Sequence, residues 1–318
     1  MIDFRYHLVS LIAVFLAVAL GIVIGTTQLN GPLTDNLQNQ VSGLQQDKRE
    51  LESQTRTLQA QLDDVGGFEE AVGPTLVRDQ LPGRSVVLVV ADDEVPSDAV
   101  EGLSALVAAA GARVNGTVRL TSGYGDPANR GALQDYVTGT GLPAGVTAPA
   151  GGDVGAQVAA LLAQVLMVPG AGTAAPATAP ASTATTSVLA GLAAIGVVDE
   201  SDTSSVTAAD FAVVLASGTV SGKDAGTRLA ALVQLATALD DRGSGAVVAG
   251  DPASAADTGL VGAVRGDRTA TTTVSTVDDL TSPAGQISTV LALAAEGRGT
   301  SGAYGTGDDT QPVPPPAS

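Results

Sequence analysis

Acidic side chains follow two of the apolar runs that have the pattern of buried strands. Asp92 and Asp93 come directly after the run 85–91, and Asp251 follows the run 246–249 in a Gly-Asp-Pro turn. The carboxyl ends of parallel strands meet at one edge of a sheet, where ligands bind in doubly wound folds. Carboxylates from two strand ends are ligands that Mg²⁺ or Ca²⁺ prefers. Asp is equally favoured in turns and at helix N-caps, so a metal site and a structural role both remain open.

The rare residue types limit the other chemistry that this chain can perform. It has no cysteine, one histidine and two methionines. Copper sites prefer Cys, Met and His, and Met167 is the only one of these side chains after the first apolar segment. Because His7 precedes that segment, a serine nucleophile in the rest of the chain has no histidine base. No dinucleotide or Walker A motif follows a predicted strand. We therefore predict a protein without catalytic residues or a cofactor.

The charge balance excludes a further class of partner. The chain carries 15 Lys and Arg against 33 Asp and Glu, a net charge of −18. Nucleic-acid recognition depends on clustered basic side chains that release counterions from phosphates. The sequence therefore predicts no nucleic-acid partner.

The first element is an apolar segment with the length of a membrane span. No charged residue occurs in Leu8–Ile24. A helix over 8–29 is about 33 Å long at 1.5 Å per residue, and the hydrocarbon core of a bilayer is about 30 Å thick. The alternative is a cleaved signal peptide, with Arg5 in its basic region and a cleavage site at 17–19. Since the apolar run continues past that site, we predict an uncleaved transmembrane helix.

The basic residues around this segment predict its orientation. Arg5 and the terminal amine precede it, and the next basic residue is Lys48. Basic flanks stay cytoplasmic, so residues 1–7 are predicted to be a cytoplasmic tail and the bulk of the chain to be extracytoplasmic. Gly21 and Gly25 form a GxxxG pattern that lets two membrane helices approach closely, although glycine is also common in single spans.

A heptad pattern occupies residues 33–66 and predicts a coiled-coil stalk. A helix is expected to be interrupted before it at Gly31-Pro32 and to end at Gly66-Gly67. Apolar residues that repeat every seven positions form a narrow stripe along one face of the helix, and such a stripe needs a partner helix in water. Polar Lys48 and Thr55 within this stripe disfavour higher oligomers, so the pattern points to a parallel homodimer. The alternative is a helix that lies on its own globular domain. The residues predicted to pair, including the two glycines of the span, are Gly21, Gly25, Leu37, Val41, Leu44, Leu51, Leu58, Leu62 and Val65.

The rest of the chain alternates apolar runs with helical segments. This pattern predicts an α/β domain over 74–297, with a mostly parallel, Rossmann-like sheet covered on both faces. A low-complexity loop is predicted at 171–187 and a disordered tail at 298–318. The predicted strands are Ser85–Ala91, Arg113–Leu120, Phe211–Ala216, Ala246–Ala249 and Thr271–Val277. The predicted helices are Asp98–Ala110, Ala128–Val137, Asp153–Val168, Val188–Ile195, Asp224–Asp241, Ala255–Val264 and Pro283–Glu296.

Two stretches of the chain resemble a known family. The opening MIDFRYHLVSLIAVFLAVALGIVIGTTQLNGPL, followed by the heptads, resembles the MctB-type copper-transport proteins of the actinobacterial cell envelope, and so does VSTVDDLTSPAGQISTVLALA at 274–294. The resemblance covers nearly the whole chain apart from 171–187 and the tail. It implies a role in copper homeostasis, in a family described as outer-membrane copper-transport proteins. Since the exported part offers few copper ligands, we expect an indirect role without an evident copper site of its own.

A related branch of the family, the SteB-like proteins, is similar in architecture. That resemblance implies a second hypothesis from a different functional class. In it, the protein is a non-enzymatic dimeric scaffold that binds a membrane protein controlling cell-wall hydrolysis during cell separation.

Overall fold

The structure, a computed structural model, describes residues 4–139, 141–170, 181–200 and 205–314, and the side chains of 26–38 are not described. The chain separates into two compact units, one ending at Val65 and one beginning at Gly66.

One helix, α1, runs without a break over Phe4–Leu76. The predicted interruption at Gly31-Pro32 and the predicted end at Gly66-Gly67 are therefore both wrong. A proline costs one backbone hydrogen bond inside a helix, and the Leu, Gln, Glu and Arg residues that follow it are strong helix formers. The helix continues through the two glycines, where an added side chain would meet no atom within 4 Å, and packs against other elements at Gly73. A side chain added at Gly73 would lie 3.1 Å from Ile287.

The first part of α1 is exposed and strongly apolar. Phe4–Gly25 has a mean hydropathy of 2.9, and none of it is buried in the protein. Each Å² of apolar surface left in water costs about 25 cal/mol, so this surface is unfavourable in an aqueous phase. The helix is long and apolar enough to cross a membrane, which agrees with the anchor predicted from the sequence.

The second unit is an α/β domain whose elements follow the predicted alternation. Most predicted bounds are met within a few residues, because continuous Val and Leu runs form strands that are buried on both faces. The strands are β1 Ser85–Val90, β2 Arg113–Arg119, β3 Phe211–Ala216, β4 Ala246–Gly250, β5 Ser275–Val277 and β6 Ala303–Tyr304. The helices after α1 are α2 Ser97–Ala109, α3 Arg130–Thr138, α4 Val154–Leu166, α5 Ser182–Ile195, α6 Ala225–Arg242, α7 Leu260–Gly266, α8 Ala270–Thr273 and α9 Pro283–Glu296, with short 3₁₀ turns at Pro127–Asn129 and Pro252–Ala255.

The six strands form one parallel sheet in the order β2-β1-β3-β4-β5-β6. The chain moves outward from β1 to β2 and then returns to the other side of β1, so its direction of travel reverses between β1 and β3. The order differs from the 3-2-1-4-5-6 order of dinucleotide-binding Rossmann domains and begins like the flavodoxin-type order 2-1-3-4-5. The structure thus confirms the parallel α/β sheet but not the Rossmann-like detail.

Alternate strand residues divide the core into two layers. Val87 and Val89 pack on the side of α4, α5 and α6, whereas Val86 and Leu88 pack on the side of α2 and α9. Val77, one residue after α1, belongs to the second layer and is fully buried. The end of α1 is therefore part of the cover of this sheet face.

Two internal segments of the α/β domain differ from their predicted conformation. Within the predicted loop 171–187, residues 182–187 are the first turns of α5, and 171–180 lie outside the described residues. Residues 270–273 are helical and not part of a strand, because Asp267 accepts hydrogen bonds from the backbone N–H groups of residues 269 and 270, both at 2.9 Å, and starts a helical turn.

The predicted disordered tail is ordered over the part that the structure describes, up to residue 314. Tyr304 in β6 is 2 % exposed and covers the edge of β5. Asp278 accepts a hydrogen bond from the Thr306 backbone N–H at 2.7 Å and forms a 2.8 Å ion pair with Arg265. Because these partners lie far apart in the sequence, local composition gave no sign of them.

Two carboxyl groups lie at the amino edge of the sheet, the buried one of Glu296 and the half-buried one of Asp240. Glu296 at the end of α9 accepts a hydrogen bond from the Ser275 backbone N–H at 2.7 Å, and Asp240 in α6 accepts one from Ala246 at 2.9 Å. Burial raises the pKa of Glu296 from 4.5 to about 8 and that of Asp240 from 3.8 to about 7. The negative charge of Asp240 contributes to the rise at Glu296. Glu296 therefore keeps its proton at neutral pH.

The raised pKa of Glu296 predicts a domain that loses stability as the pH rises. Between its unfolded pKa of 4.5 and its folded pKa of about 8, the folded state holds a proton that the unfolded state has released. Each pH unit in this range then costs about 1.4 kcal/mol. Glu296→Gln keeps the acceptor oxygen and cannot ionise. At about pH 8 we expect it to be more stable than the wild type by a few kcal/mol.

The measurement is urea unfolding of residues 26–318, followed by tyrosine fluorescence because the chain has no tryptophan. It is repeated from about pH 5 to pH 8. Glu101→Gln, which removes an exposed carboxylate from α2, is the matched control and should keep the wild-type profile. A Glu296→Gln profile as steep as that of the wild type would contradict the assignment.

Candidate functional site

A cleft of about 480 Å³ opens at the carboxyl edge of the sheet, where the chain reverses direction between β1 and β3. Doubly wound sheets bind ligands at such points, so this cleft is the candidate ligand site of the domain. The loops after β1, β2 and β3 and the beginning of α6 form its walls. Its polar lining includes Asp92, Asp93, Ser122, Asp126, Ser217, Lys223 and Arg228.

The carboxylates of Asp92 and Asp251 both bind the loop that follows β3. Asp92 accepts a hydrogen bond from the Ser217 backbone N–H at 3.0 Å. Asp251 accepts one from the Ser217 hydroxyl at 3.0 Å and another from the Gly218 N–H at 2.9 Å. In the sheet, β3 lies between β1 and β4. The loop after β3 is therefore held by Asp92, which follows β1, and by Asp251, which follows β4.

Arg228 fixes the opposite wall of the cleft. Its guanidinium donates hydrogen bonds to the carbonyl oxygens of Ala91, at 2.8 Å, and Thr121, at 3.0 Å. These carbonyls belong to the segments that follow β1 and β2. One side chain from α6 therefore ties two strand ends together.

Burial governs the protonation of the charged groups in this cleft. It raises the pKa of Asp92, although hydrogen bonds from the backbone N–H groups of Ser217 and Glu94 oppose the rise. Burial also lowers the pKa of Arg228, and the charges of Asp92 and Asp93 oppose that effect. The opposite charges of Arg228 and Asp92 thus help to keep both groups ionised.

The arrangement favours the structural role of the candidate acids over a metal site. Asp251 caps the 3₁₀ turn after β4 by accepting from the Ser254 N–H at 2.9 Å, and Asp92 accepts from the Glu94 N–H in a tight turn. Asp93 lines the cleft and is exposed. Within the described ranges, no three or more His, Cys, Asp or Glu side chains are placed to hold a metal.

The sequence reasoning missed the two residues that organise the cleft, Ser217 and Arg228. Arg228 could have been found as a basic residue close to the start of a helix that follows a buried strand. Ser217 had a similar signal, since it is the first polar residue after β3. Neither signal is specific without the order of the strands.

The side chains that prefer copper are not gathered into a site in the described part of the chain. Met167 is fully buried in the hydrophobic core, next to the helix α4 that it follows. His7 lies in the apolar part of α1. No further His or Cys occurs anywhere in the sequence.

The residues predicted to pair two helices are exposed where the structure describes them, apart from Gly25, which is half-buried. A side chain added at Gly21 or Gly25 would meet no atom within 4 Å. The heptad residues are more than half exposed, from 51 % at Val41 to 69 % at Leu62. The side chain of Leu37 lies outside the described residues. The others in this stripe are Leu44, Leu51, Leu58 and Val65.

Fold and site together define a class of protein. It combines a long helix, whose apolar start has the length of a membrane span, with a doubly wound α/β domain whose cleft side chains Asp92 and Arg228 hydrogen-bond to the protein itself. Comparison with known proteins identifies the family. The family model described as "Copper transport outer membrane protein, MctB" matches residues 1–315, and the chain belongs to this family.

Curated relatives support the same assignment over the full length. The chain is 33 % identical over 315 residues to the "Copper transporter MctB" of Mycobacterium tuberculosis (strain ATCC 25618 / H37Rv), covering 98 % of this chain and 99 % of the relative. It is 32 % identical over 319 residues to the protein of that name in Mycobacterium leprae (strain TN), covering 96 % and 97 %. The resemblance found in the sequence is thus confirmed.

The cleft geometry predicts that Asp251 is a structural residue. Asp251→Ala removes the acceptor for Ser217, Gly218 and Ser254 together, so we expect a loss of about 2 to 4 kcal/mol in the free energy of unfolding. The measurement is urea unfolding of residues 26–318, followed by tyrosine fluorescence. Asp257→Ala removes an exposed carboxylate seven residues from β4 and should change the stability by less than about 0.5 kcal/mol. Equal stability of the two variants would contradict the structural role.

Proposed function

We propose that this protein acts in copper homeostasis of the cell envelope as a membrane-anchored, non-enzymatic protein that affects copper indirectly. The observation that carries the proposal is the family match over residues 1–315, combined with a sequence that has no cysteine and no histidine after His7. Copper ions prefer thiolate, thioether and imidazole ligands, and the one methionine beyond the anchor is fully buried in the core. In this proposal, copper is handled by a protein with which this one works.

The membrane arrangement is the second part of the proposal. The apolar segment of α1 spans the membrane once, with Arg5 on the cytoplasmic side and the α/β domain outside. Support comes from the length and hydropathy of Phe4–Gly25 and from the absence of basic residues between the span and Lys48.

The third part is that α1 pairs with the same helix of a second copy. The exposed stripe from Val41 to Val65 supports it, because leucine and valine repeated every seven residues need cover in water. The glycines at 21 and 25 would allow the pairing to continue through the membrane. The resulting dimer is parallel, so both α/β domains lie on the same side of the membrane.

The pairing predicts a loss of dimerisation when charge is placed in the stripe. Leu44→Asp with Leu51→Asp buries four carboxylates in the seam of a dimer, and we expect the dissociation constant to rise at least about 100-fold. Gln46→Asp with Ser53→Asp adds the same charge on the opposite helix face and should leave dimerisation intact. Sedimentation equilibrium of residues 33–318 measures both. A monomeric wild type at high micromolar concentration would refute the pairing.

The indirect role predicts a copper phenotype without copper binding. We expect deletion of the gene to change copper tolerance, while purified residues 26–318 bind less than one equivalent of Cu(I) or Cu(II). Met167→Leu, a swap of similar volume, should restore tolerance as well as the wild type does. Unchanged tolerance in the deletion strain would refute a copper role. Stoichiometric copper binding that Met167→Leu abolishes would refute the indirect mechanism.

A further inference from the structure

Three helices of the α/β domain enclose a groove that the functions proposed above do not use. The last turns of α1 and the helices α2 and α9 meet around a space of about 510 Å³. They approach closely at glycine positions. A side chain added at Gly73 would lie 3.1 Å from Ile287 and 3.4 Å from Leu106, and one at Gly102 would clash with Gln286. The groove is therefore a built feature of the helix packing.

The groove has an apolar floor and an acidic rim. Small and apolar side chains form the floor, and carboxylates stand on two of its three walls, the ones made by α1 and α2. The floor includes Ala99, Gly102, Ala105, Leu106 and Ile287, and the carboxylates are Glu69, Glu70 and Asp98.

The acids of the rim are not neutralised within the described residues. Glu69 and Glu70 make no hydrogen bond or ion pair there, and Asp98 contacts only the hydroxyl of Ser97, at 3.5 Å. Among the residues that the structure describes, no Lys or Arg lines the groove. A complementary occupant would therefore carry positive charge next to an apolar surface.

Charge selects among the occupants of such a groove. A second copy of this chain carries 33 acidic against 15 basic residues, and an anionic lipid surface carries phosphate, so the acidic rim repels both. A helix with apolar residues on one face and Lys or Arg on the other matches the floor and the rim together. Helices commonly dock in grooves between helices through residues spaced three and four apart.

We propose that this groove is a docking site for a basic amphipathic helix of a partner protein. Its apolar face lies over Ala105, Leu106 and Ile287, and its Lys or Arg side chains face Glu69, Glu70 and Asp98. The site uses none of the side chains that prefer copper. It gives the exported domain a way to recruit a cationic segment of another envelope protein.

A model peptide tests the chemistry of the site. The probe is a labelled 18-residue helix with Leu and Ala on one face and Lys on the other, added to the full-length protein in nanodiscs of zwitterionic lipid. Fluorescence anisotropy reports binding. We expect the Lys peptide to bind, with an affinity that falls as salt is added, and a peptide with Glu in place of Lys not to bind. Equal binding of the two peptides overturns the proposal, and so does no binding of the Lys peptide.

Charge variants locate the binding. Glu69→Lys, Glu70→Lys and Asp98→Lys together should weaken the Lys peptide at least tenfold. The matched control changes three exposed acids away from the groove, Asp135→Lys, Asp257→Lys and Asp308→Lys, and should weaken it less than twofold. Equal weakening in the two triple variants would mean general attraction to an acidic protein and overturns the proposal.

A variant that fills the groove separates shape from charge. Ala105→Trp leaves the three carboxylates in place and should also weaken the peptide at least tenfold, while the thermal unfolding midpoint stays near that of the wild type. A photo-crosslinking amino acid at position 105 then captures the occupant in cells. We expect mass spectrometry to find a Lys- or Arg-rich amphipathic peptide. Capture of a lipid, a second copy of this chain or an acidic peptide overturns the proposal.

Discussion

The structure depends on one requirement, that both faces of a parallel sheet be covered. The central strand β3 is almost completely buried, since none of its residues is more than 4 % exposed. Burial of apolar surface contributes about 25 cal/mol per Å², so helices are held on both sides. The last turn of α1 is recruited into one of these layers through Gly73 and Val77. The last turns of α1, from Gly66 to Leu76, are therefore part of the α/β unit.

Several carboxylates of this acidic domain have structural roles at strand ends. At the carboxyl edge, Asp92 and Asp251 accept hydrogen bonds from the loop after β3. At the amino edge, Asp240 and Glu296 accept them from the first residues of β4 and β5. Backbone N–H groups at strand ends lack a ladder partner, and a carboxylate supplies one. These four carboxylates are therefore engaged in the fold.

The sequence predicted best where the signal was local. The bounds of β3 and α9 agree to the residue with the predictions Phe211–Ala216 and Pro283–Glu296, since a continuous apolar run and a Ser-Pro helix start are complete within a few residues. It failed at Gly66-Gly67, where the helix continues to Leu76, and in the tail, where contacts with distant segments order a stretch of polar composition. Tyr304 illustrates the reason, because its place at the edge of β5 requires a sheet that composition does not describe.

The sequence by itself determined the membrane-length helix, the parallel α/β class, the placement of Asp92 and Asp251 at one edge and the scarcity of copper ligands, because hydropathy, strand periodicity and residue type are properties of the chain. Only the tertiary structure decided that both acids converge on Ser217 and that Arg228 joins two strand ends. It also decided that Gly73 and Gly102 frame an acidic groove. The physical reason is the order of the strands and the choice of helices that cover each face. Both are fixed by packing between residues that lie far apart in the sequence.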